Sequence, residues 1–223
     1  MTRMMDLWLI RHGETDWNRE LRFQGHLDAP LNALGQRQAQ RLGEHLATLS
    51  PRPLLASDLL RTRQTAEPLA GQWQTQALPD ALWREQAFGV IEGLTLDEVR
   101  ERHPEVVQGW RRHDPDFAPE GGESRRQFHA RVMLAVRNLV ARCAEQGWQA
   151  PVVVSHGGVL DMVYRSATGQ SLAGPRQCPI PNAGLNHVRT DGERFEIVQW
   201  AQDSHLQGLP PSAVYPVATP SGR

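Results

Sequence analysis

Two histidines and two arginines, set where short apolar runs meet small or polar residues, are the side chains of this sequence best suited to chemistry. Arg11 and His12 follow the largely apolar residues 6–10 and precede Gly13-Glu14-Thr15. Arg61 follows Pro53-Leu54-Leu55-Ala56 and the polar pair Ser57-Asp58. His156 follows Pro151-Val152-Val153-Val154-Ser155 and precedes Gly157-Gly158. Two guanidiniums, charged at any working pH, can grip the oxygens of a dianionic phosphoryl group in bidentate fashion. A neutral imidazole can attack its phosphorus, because imidazole ionises near neutrality.

The elements that must bring these groups together are read from the same segments. Each apolar run is short and rich in branched residues, which predicts a buried strand, and each is followed by a helical pattern. Gly13 is read as permitting the sharp turn beyond the first strand. Strands alternating with helices predict a mostly parallel sheet, whose C-terminal edge forms the crevice where ligands bind in open α/β folds. The three strand ends then converge on one site.

The segments LIRHGETDWN, SDLLRTRQTA, the Glu85 segment and VVSHGG, in this order, resemble the histidine phosphatase superfamily, also called phosphoglycerate-mutase-like, over residues 7–198. The resemblance implies a three-layer α/β/α fold with a small helical cap insertion. It implies that His12 is the transiently phosphorylated nucleophile and that Arg11, Asn18, Arg61 and His156 line the phosphate pocket. Glu85 is then the proton donor to the leaving oxygen and the base that activates water. Gln24 and Gly25, in FQGHLDAPLN, fall in the substrate-contacting loop. Ala87 stands where the family often has Asp or His, and Val90 where it often has Trp; both are read as changes to the pocket wall. Neither a metal nor another cofactor is implied.

Physical requirements stand beside the resemblance. Phosphoryl transfer needs in-line positioning and neutralised equatorial oxygens, which the arginines, Asn18 and backbone N–H groups at the helix start after Gly157 can supply. Attack requires His12 unprotonated at one nitrogen, so the other is expected to donate to a fixed acceptor such as a backbone carbonyl. Glu85 is expected to hold a proton through burial beside Phe88; its bland reading is a loop carboxylate paired with Arg84.

Residues 93–122 read as the cap, with one short helix before Pro104 and a second over residues 106–112. Trp110, Arg111, Arg112, His113 and Phe117 are its candidate substrate contacts, set against the plainer reading that the aromatics pack the cap and the arginines are solvated. Asn32 and Ser124 are expected helix caps. Phe128, Val132, Ala135, Val136, Leu139, Val140 and Cys143 form one helix's core stripe. Residues 185–189 and 195–200, joined through Asp191-Gly192, read as a hairpin giving an antiparallel edge. Residues 1–203 are read as one domain, and 204–223, rich in Pro, Gly and Ser, as an irregular tail. His26, His45, His103, His129, His187 and His205 are assigned structural or surface roles by default, with His26, close to Gln24, set apart.

Composition excludes some partners. The chain has 223 residues and a net charge of -1, from 24 basic and 25 acidic residues, with no long block of one sign, so neither nucleic acid nor an acidic membrane is indicated. All 24 basic residues are arginine. Two cysteines make no disulfide framework or zinc-ligand spacing, and residues 1–5 lack the features of a secretory signal, so the expected location is the cytoplasm.

Three functions remain open: a metal-independent phosphatase of small phosphorylated metabolites, a cofactor-dependent phosphoglycerate mutase, and a non-catalytic phosphoryl-binding module. The resemblance implies that mutases carry a longer insertion with a lysine for the substrate carboxylate. This insertion is short and has no lysine, although Arg111 and Arg112 are conceivable replacements, so the phosphatase is favoured. The GGES turn and short cap look like the alpha-ribazole and broad-specificity phosphatase branches. A zinc hydrolase using His12, His156 and Glu85 is disfavoured by flanking arginines that repel the cation. The resemblance leaves monomer or dimer open.

Overall fold

The structure is a computed structural model that describes residues 4–212. Alternating apolar runs and helical patterns give, in chain order, β1 (Met5–Arg11), α1 (Asp16–Arg19), α2 (Ala33–Leu46), β2 (Leu54–Ala56), α3 (Leu60–Gln72) and β3 (Leu78–Pro79). These are followed by α4 (Leu96–Arg102), α5 (Pro104–Arg111), α6 (Arg125–Gln146), β4 (Val152–Ser155), α7 (Gly157–Thr168), β5 (Leu185–Thr190) and β6 (Phe195–Gln202). The sheet order is β3-β2-β4-β1-β5-β6. The first four strands run parallel, and β5 pairs antiparallel with both β1 and β6. The expected hairpin is present, but its antiparallel strand lies inside the sheet and β6 forms the edge.

Alternation along the strands divides the core into two layers. Leu7, Leu9 and Val153 pack with Phe128, Val132, Val136, Leu139 and Val163 of α6 and α7. Ile10, Val152 and Val154 face the other way, onto Leu42 and Leu46 of α2 and Ala66 and Leu69 of α3. The result is the three-layer α/β/α arrangement expected from the sequence. A third small core of Ile91, Val99 and Val106, with Phe23, Phe88, Trp110 and Phe117 against it, carries the cap helices α4 and α5.

Both expected caps form: Asn32 accepts from the Gly35 N–H, and Ser124 makes a reciprocal capping box with Gln127. Gly13 differs from expectation. It is absent from the positive-φ residues, and a Cβ there would lie 2.6 Å from the Gly35 carbonyl oxygen. Its lack of a side chain lets the loop after β1 touch α2, and no left-handed turn is involved. The strand expected over residues 76–82 is only Leu78–Pro79, continuing into a 3-10 turn at Ala81–Trp83. In the tail, Ser204–Leu206 form a 3-10 turn, while residues 213–223 and residues 1–3 of the N-terminal segment lie outside the described residues. No helix among the described residues is long and apolar enough to cross a membrane.

Candidate active site

Register places the two histidines side by side. Arg11 pairs with Ser155 across β1 and β4, and the His12 N–H donates to the Ser155 carbonyl at 2.9 Å. The residues that follow each strand, His12 and His156, leave the sheet at one point, with ring centroids 5.3 Å apart and edges meeting faces. The adjacent β2 delivers α3 and Arg61 to the same edge, since Ser57 N–H donates to the Val154 carbonyl at 3.0 Å.

A cavity of about 650 Å³ opens here, within the range of small-molecule sites. Arg11, His12, Asn18, Gln24, Arg61, Glu85 and Gly157 all line it. Two expected pocket residues stand behind its wall. His156 is fully buried against His12. Gly25 offers its carbonyl to Arg61 Nη2 at 2.8 Å, while Leu27 accepts from Arg61 Nη1 at 2.9 Å. Those two carbonyls fix the plane of the Arg61 guanidinium, and Arg11 Nη1 is anchored by the Ile180 carbonyl at 2.7 Å.

His12 meets the expectation for its ring. Its Nδ1 lies 2.7 Å from the Gly13 carbonyl oxygen. A carbonyl only accepts, so Nδ1 carries the proton and Nε2 keeps its lone pair. Burial, then the charges of Arg61 and Arg11, hold the His12 pKa well below the usual histidine value, against the opposing Gly13 bond. Burial, Arg61 and His12 do the same for His156, neither of whose ring nitrogens has a hydrogen-bond partner among the described residues.

Asn18 caps a helix and also lines the cavity. It is the third helical residue of α1 and closes a capping box with Thr15, whose N–H and hydroxyl both donate to its Oδ1 at 3.1 Å. With Oδ1 so engaged, the group it can offer the cavity is its NH₂.

Glu85 is not paired with Arg84, which instead forms a two-bond ion pair with Asp58 at 2.7 and 2.6 Å. Its carboxylate accepts from the Gly158 and Gln86 N–H groups, each at 2.9 Å. One N–H of the first turn of α7, that of Gly158, thus serves the candidate acid. The backbone around Glu85 is fixed by Arg131, which the sequence did not single out, and by His26, the histidine that the sequence set apart. Arg131 donates to the carbonyls of Leu82, Arg84 and Glu85 at 2.9, 2.8 and 2.9 Å, and His26 Nε2 donates to the Glu85 carbonyl at 2.9 Å.

Of the cap candidates, Trp110, His113 and Phe117 line the cavity. Arg111 and Arg112 are exposed and lie off its wall, because successive helical residues turn by about 100° and Trp110 takes the inward direction. Arg125, Asp161 and Arg176 line it unanticipated. Among the described residues, no group of three or more His, Cys, Asp or Glu side chains is placed to hold a metal ion.

The family model described as Histidine phosphatase superfamily (branch 1) matches residues 7–203. A curated relative from Klebsiella pneumoniae subsp. pneumoniae, named probable phosphoglycerate mutase GpmB, is 36% identical over 190 residues, 83% of this chain and 85% of the relative. Among solved structures, Bacillus stearothermophilus YhfR superposes with a TM-score of 0.81 at 30% identity, covering 91% of this chain and 100% of that one. The native mycobacterial glucosyl-3-phosphoglycerate phosphatase gives a TM-score of 0.78 at 30% identity, covering 90% and 100%. The chain belongs to the histidine phosphatase superfamily.

Proposed function

We propose that this protein is a metal-independent phosphatase that hydrolyses small-molecule phosphate monoesters through a phosphohistidine. The observation that carries the reading is His12: a neutral ring, pinned by the Gly13 carbonyl at 2.7 Å, facing a cavity also lined by Arg11, Arg61 and Glu85. In the first step Nε2 of His12 forms a bond to phosphorus as the phosphorus–oxygen bond to the leaving alcohol breaks. Glu85 in its carboxylic acid form gives that oxygen its proton. In the second step water attacks the phosphohistidine, Glu85 takes a proton from it, and inorganic phosphate leaves as the nitrogen–phosphorus bond breaks. Arg11, Arg61 and the Asn18 NH₂ balance the charge on the equatorial oxygens in both steps. His156, packed behind His12, sets the position of that ring.

A mutase would return the phosphoryl group to an alcohol instead of to water, and the name of the Klebsiella relative favours this second reading. Against it stand the absence of any lysine and the outward placement of Arg111 and Arg112. We take residues 1–203 as one catalytic domain with residues 93–122 as its cap, working in the cytoplasm; both cysteines of the chain are unpaired.

The test is phosphate release from a panel of monoesters in EDTA, with rapid acid and base quench, for the native protein beside His12→Ala. Release by the native protein alone, with an acid-labile phosphoenzyme, supports the reading. Phosphoenzyme that returns its phosphoryl group to an alcohol without releasing phosphate establishes the mutase. Equal release by both proteins sinks the role of His12.

A further inference from the structure

Two guanidiniums beyond the phosphoryl seat line the cavity, Arg125 from the start of α6 and Arg176 from the segment after α7. Arg176 lies beside Arg11: a Cβ built on Gly157 would be 3.3 Å from Arg176 Nη2 and 3.4 Å from Arg11 Nε. The Nε of Arg176 is shielded from solvent and has no hydrogen-bond partner among the described residues. Arg125 Nη1 donates to the carbonyls of Leu172, at 2.9 Å, and Gly174, which ties it to the segment that carries Arg176.

The acid at this end of the cavity does not balance them. Asp161 is engaged by the buried Arg165, whose Nε donates to its Oδ2 at 2.9 Å. Arg165 is spent on structure, since it also donates to the carbonyls of Ser171, Ala173 and Pro175. Three guanidiniums therefore face one carboxylate, and burial together with Arg165 and Arg176 pushes Arg125 below the usual arginine range despite Asp161. Like charges gathered at low dielectric repel one another unless an anion comes between them. Elsewhere the lining is aromatic, with Phe23, Phe88, Trp110 and Phe117, and its other acids are Glu85, held by the Gly158 and Gln86 N–H groups, and the exposed Asp114 of the cap.

We propose that Arg125 and Arg176 form a second anion subsite, and that the substrate's leaving alcohol carries a carboxylate or a second phosphate that occupies it. The proposal rests on the reading in which the reacting phosphoryl group sits against Arg11, His12 and Arg61. It assigns the anchor to α6 and the segment after α7, whereas sequence alone had pointed to the cap arginines.

The experiment measures equilibrium binding by calorimetry to the full-length His12→Ala protein, which cannot be phosphorylated on that residue. Two matched pairs are compared: 3-phosphoglycerate against glycerol 3-phosphate, and fructose 1,6-bisphosphate against fructose 1-phosphate. The member of at least one pair that carries the second anionic group binds about tenfold or more tightly than its mate, the scale of a charge-assisted hydrogen bond. The pair that shows the gap identifies carboxylate or phosphate as the second group. Adding Arg125→Gln or Arg176→Gln closes the gap, and Arg125→Lys, which keeps the charge, retains part of it and controls for the lost loop contacts. Equal affinity within both pairs, a gap that survives both substitutions, or binding by none of the esters overturns the proposal. An Arg176→Gln effect equal on both members of a pair makes Arg176 a ligand of the reacting phosphate and overturns it also. Binding is read without turnover, so a native protein that hydrolyses nothing would end the phosphatase reading and leave this result standing.

Discussion

Arg131 and Glu123 face each other in a two-bond ion pair, with Nε to Oε1 at 2.8 Å and Nη2 to Oε2 at 2.6 Å, that clasps the segment carrying Glu85. Arg131 takes the carbonyls on one side of the clasp. Glu123 Oε2 takes the Ala87 N–H at 2.9 Å on the other. Arg131→Met frees this segment, and loss of an ångström in the position of a reacting group costs up to about a hundredfold in rate. The expected outcome is a fall in kcat of ten- to a hundredfold, by analogy with that loss, with KM little changed. Esters of poorly acidic alcohols should suffer more than p-nitrophenyl phosphate, whose leaving group needs no proton. A loss equal for both ester classes would mean that the clasp supports the fold and not the acid.

The two buried histidines make folding sensitive to mild acid. Both have native pKa values well below 6.5, so below that pH the unfolded chain binds protons that the folded chain does not. Stability is then complete above about pH 6.5 and lost as pH falls toward the native values, by up to about 1.4 kcal/mol per histidine per pH unit. Urea unfolding at pH 7.5, 6.5, 5.5 and 5.0 should show this slope, and His156→Gln should remove roughly half of it. An unchanged slope in that variant would show that other groups carry the acid sensitivity.

The parts of this site written into local sequence were legible there. An apolar run ending in Arg11-His12-Gly13, or in Ser155-His156-Gly157, states both a strand and what stands at its end, and caps such as Ser124 satisfy backbone N–H groups three residues on. What was not legible depends on contacts between distant segments. Arg131 reaches carbonyls 46 to 49 residues away, and Arg11 is held by a carbonyl 169 residues away. No spacing rule marks Arg125 or Arg176 among 24 arginines, whereas Arg111 and Arg112 drew notice by lying in the cap insertion, where they were conceivable replacements for a carboxylate-binding lysine. Gly13 was noticed for the right position and the wrong reason, because its need is set by the α2 backbone passing over it.

Arg61→Lys tests whether a charge alone suffices in the phosphoryl seat. The Arg61 guanidinium donates to the Leu27 and Gly25 carbonyls, which holds its plane in the wall of the cavity. A lysine ammonium keeps the charge but has no planar fork and cannot reproduce both anchors at that reach. We expect kcat/KM to fall about a hundredfold or more, the scale of losing one preorganised donor to a transition-state oxygen. The same change should loosen residues 24–27, raising amide hydrogen exchange there. Activity within threefold of native would show that Arg61 acts through charge and not through orientation.

Gly158 sets the distance between Glu85 and the first turn of α7. A Cβ at this position would lie 2.0 Å from Glu85 Oε1 and 3.0 Å from the Phe128 ring, and its N–H is one of the two donors that hold the carboxylate. Gly158→Ala therefore displaces the carboxylate of a mobile side chain more readily than it shifts the backbone. Alanine also favours the helix by roughly 0.5–1 kcal/mol over glycine, which offsets part of the cost to stability. The expected result is a Tm within a few degrees of native, together with a fall in kcat of about a hundredfold, the scale of a misplaced general acid. As with Arg131→Met, alkyl esters should lose more than p-nitrophenyl phosphate. Unfolding of Gly158→Ala would instead mean that Phe128, packed in the core beneath, gives way before Glu85. A smaller residue at that position, as in the double variant with Phe128→Leu, should then restore the fold while leaving turnover low.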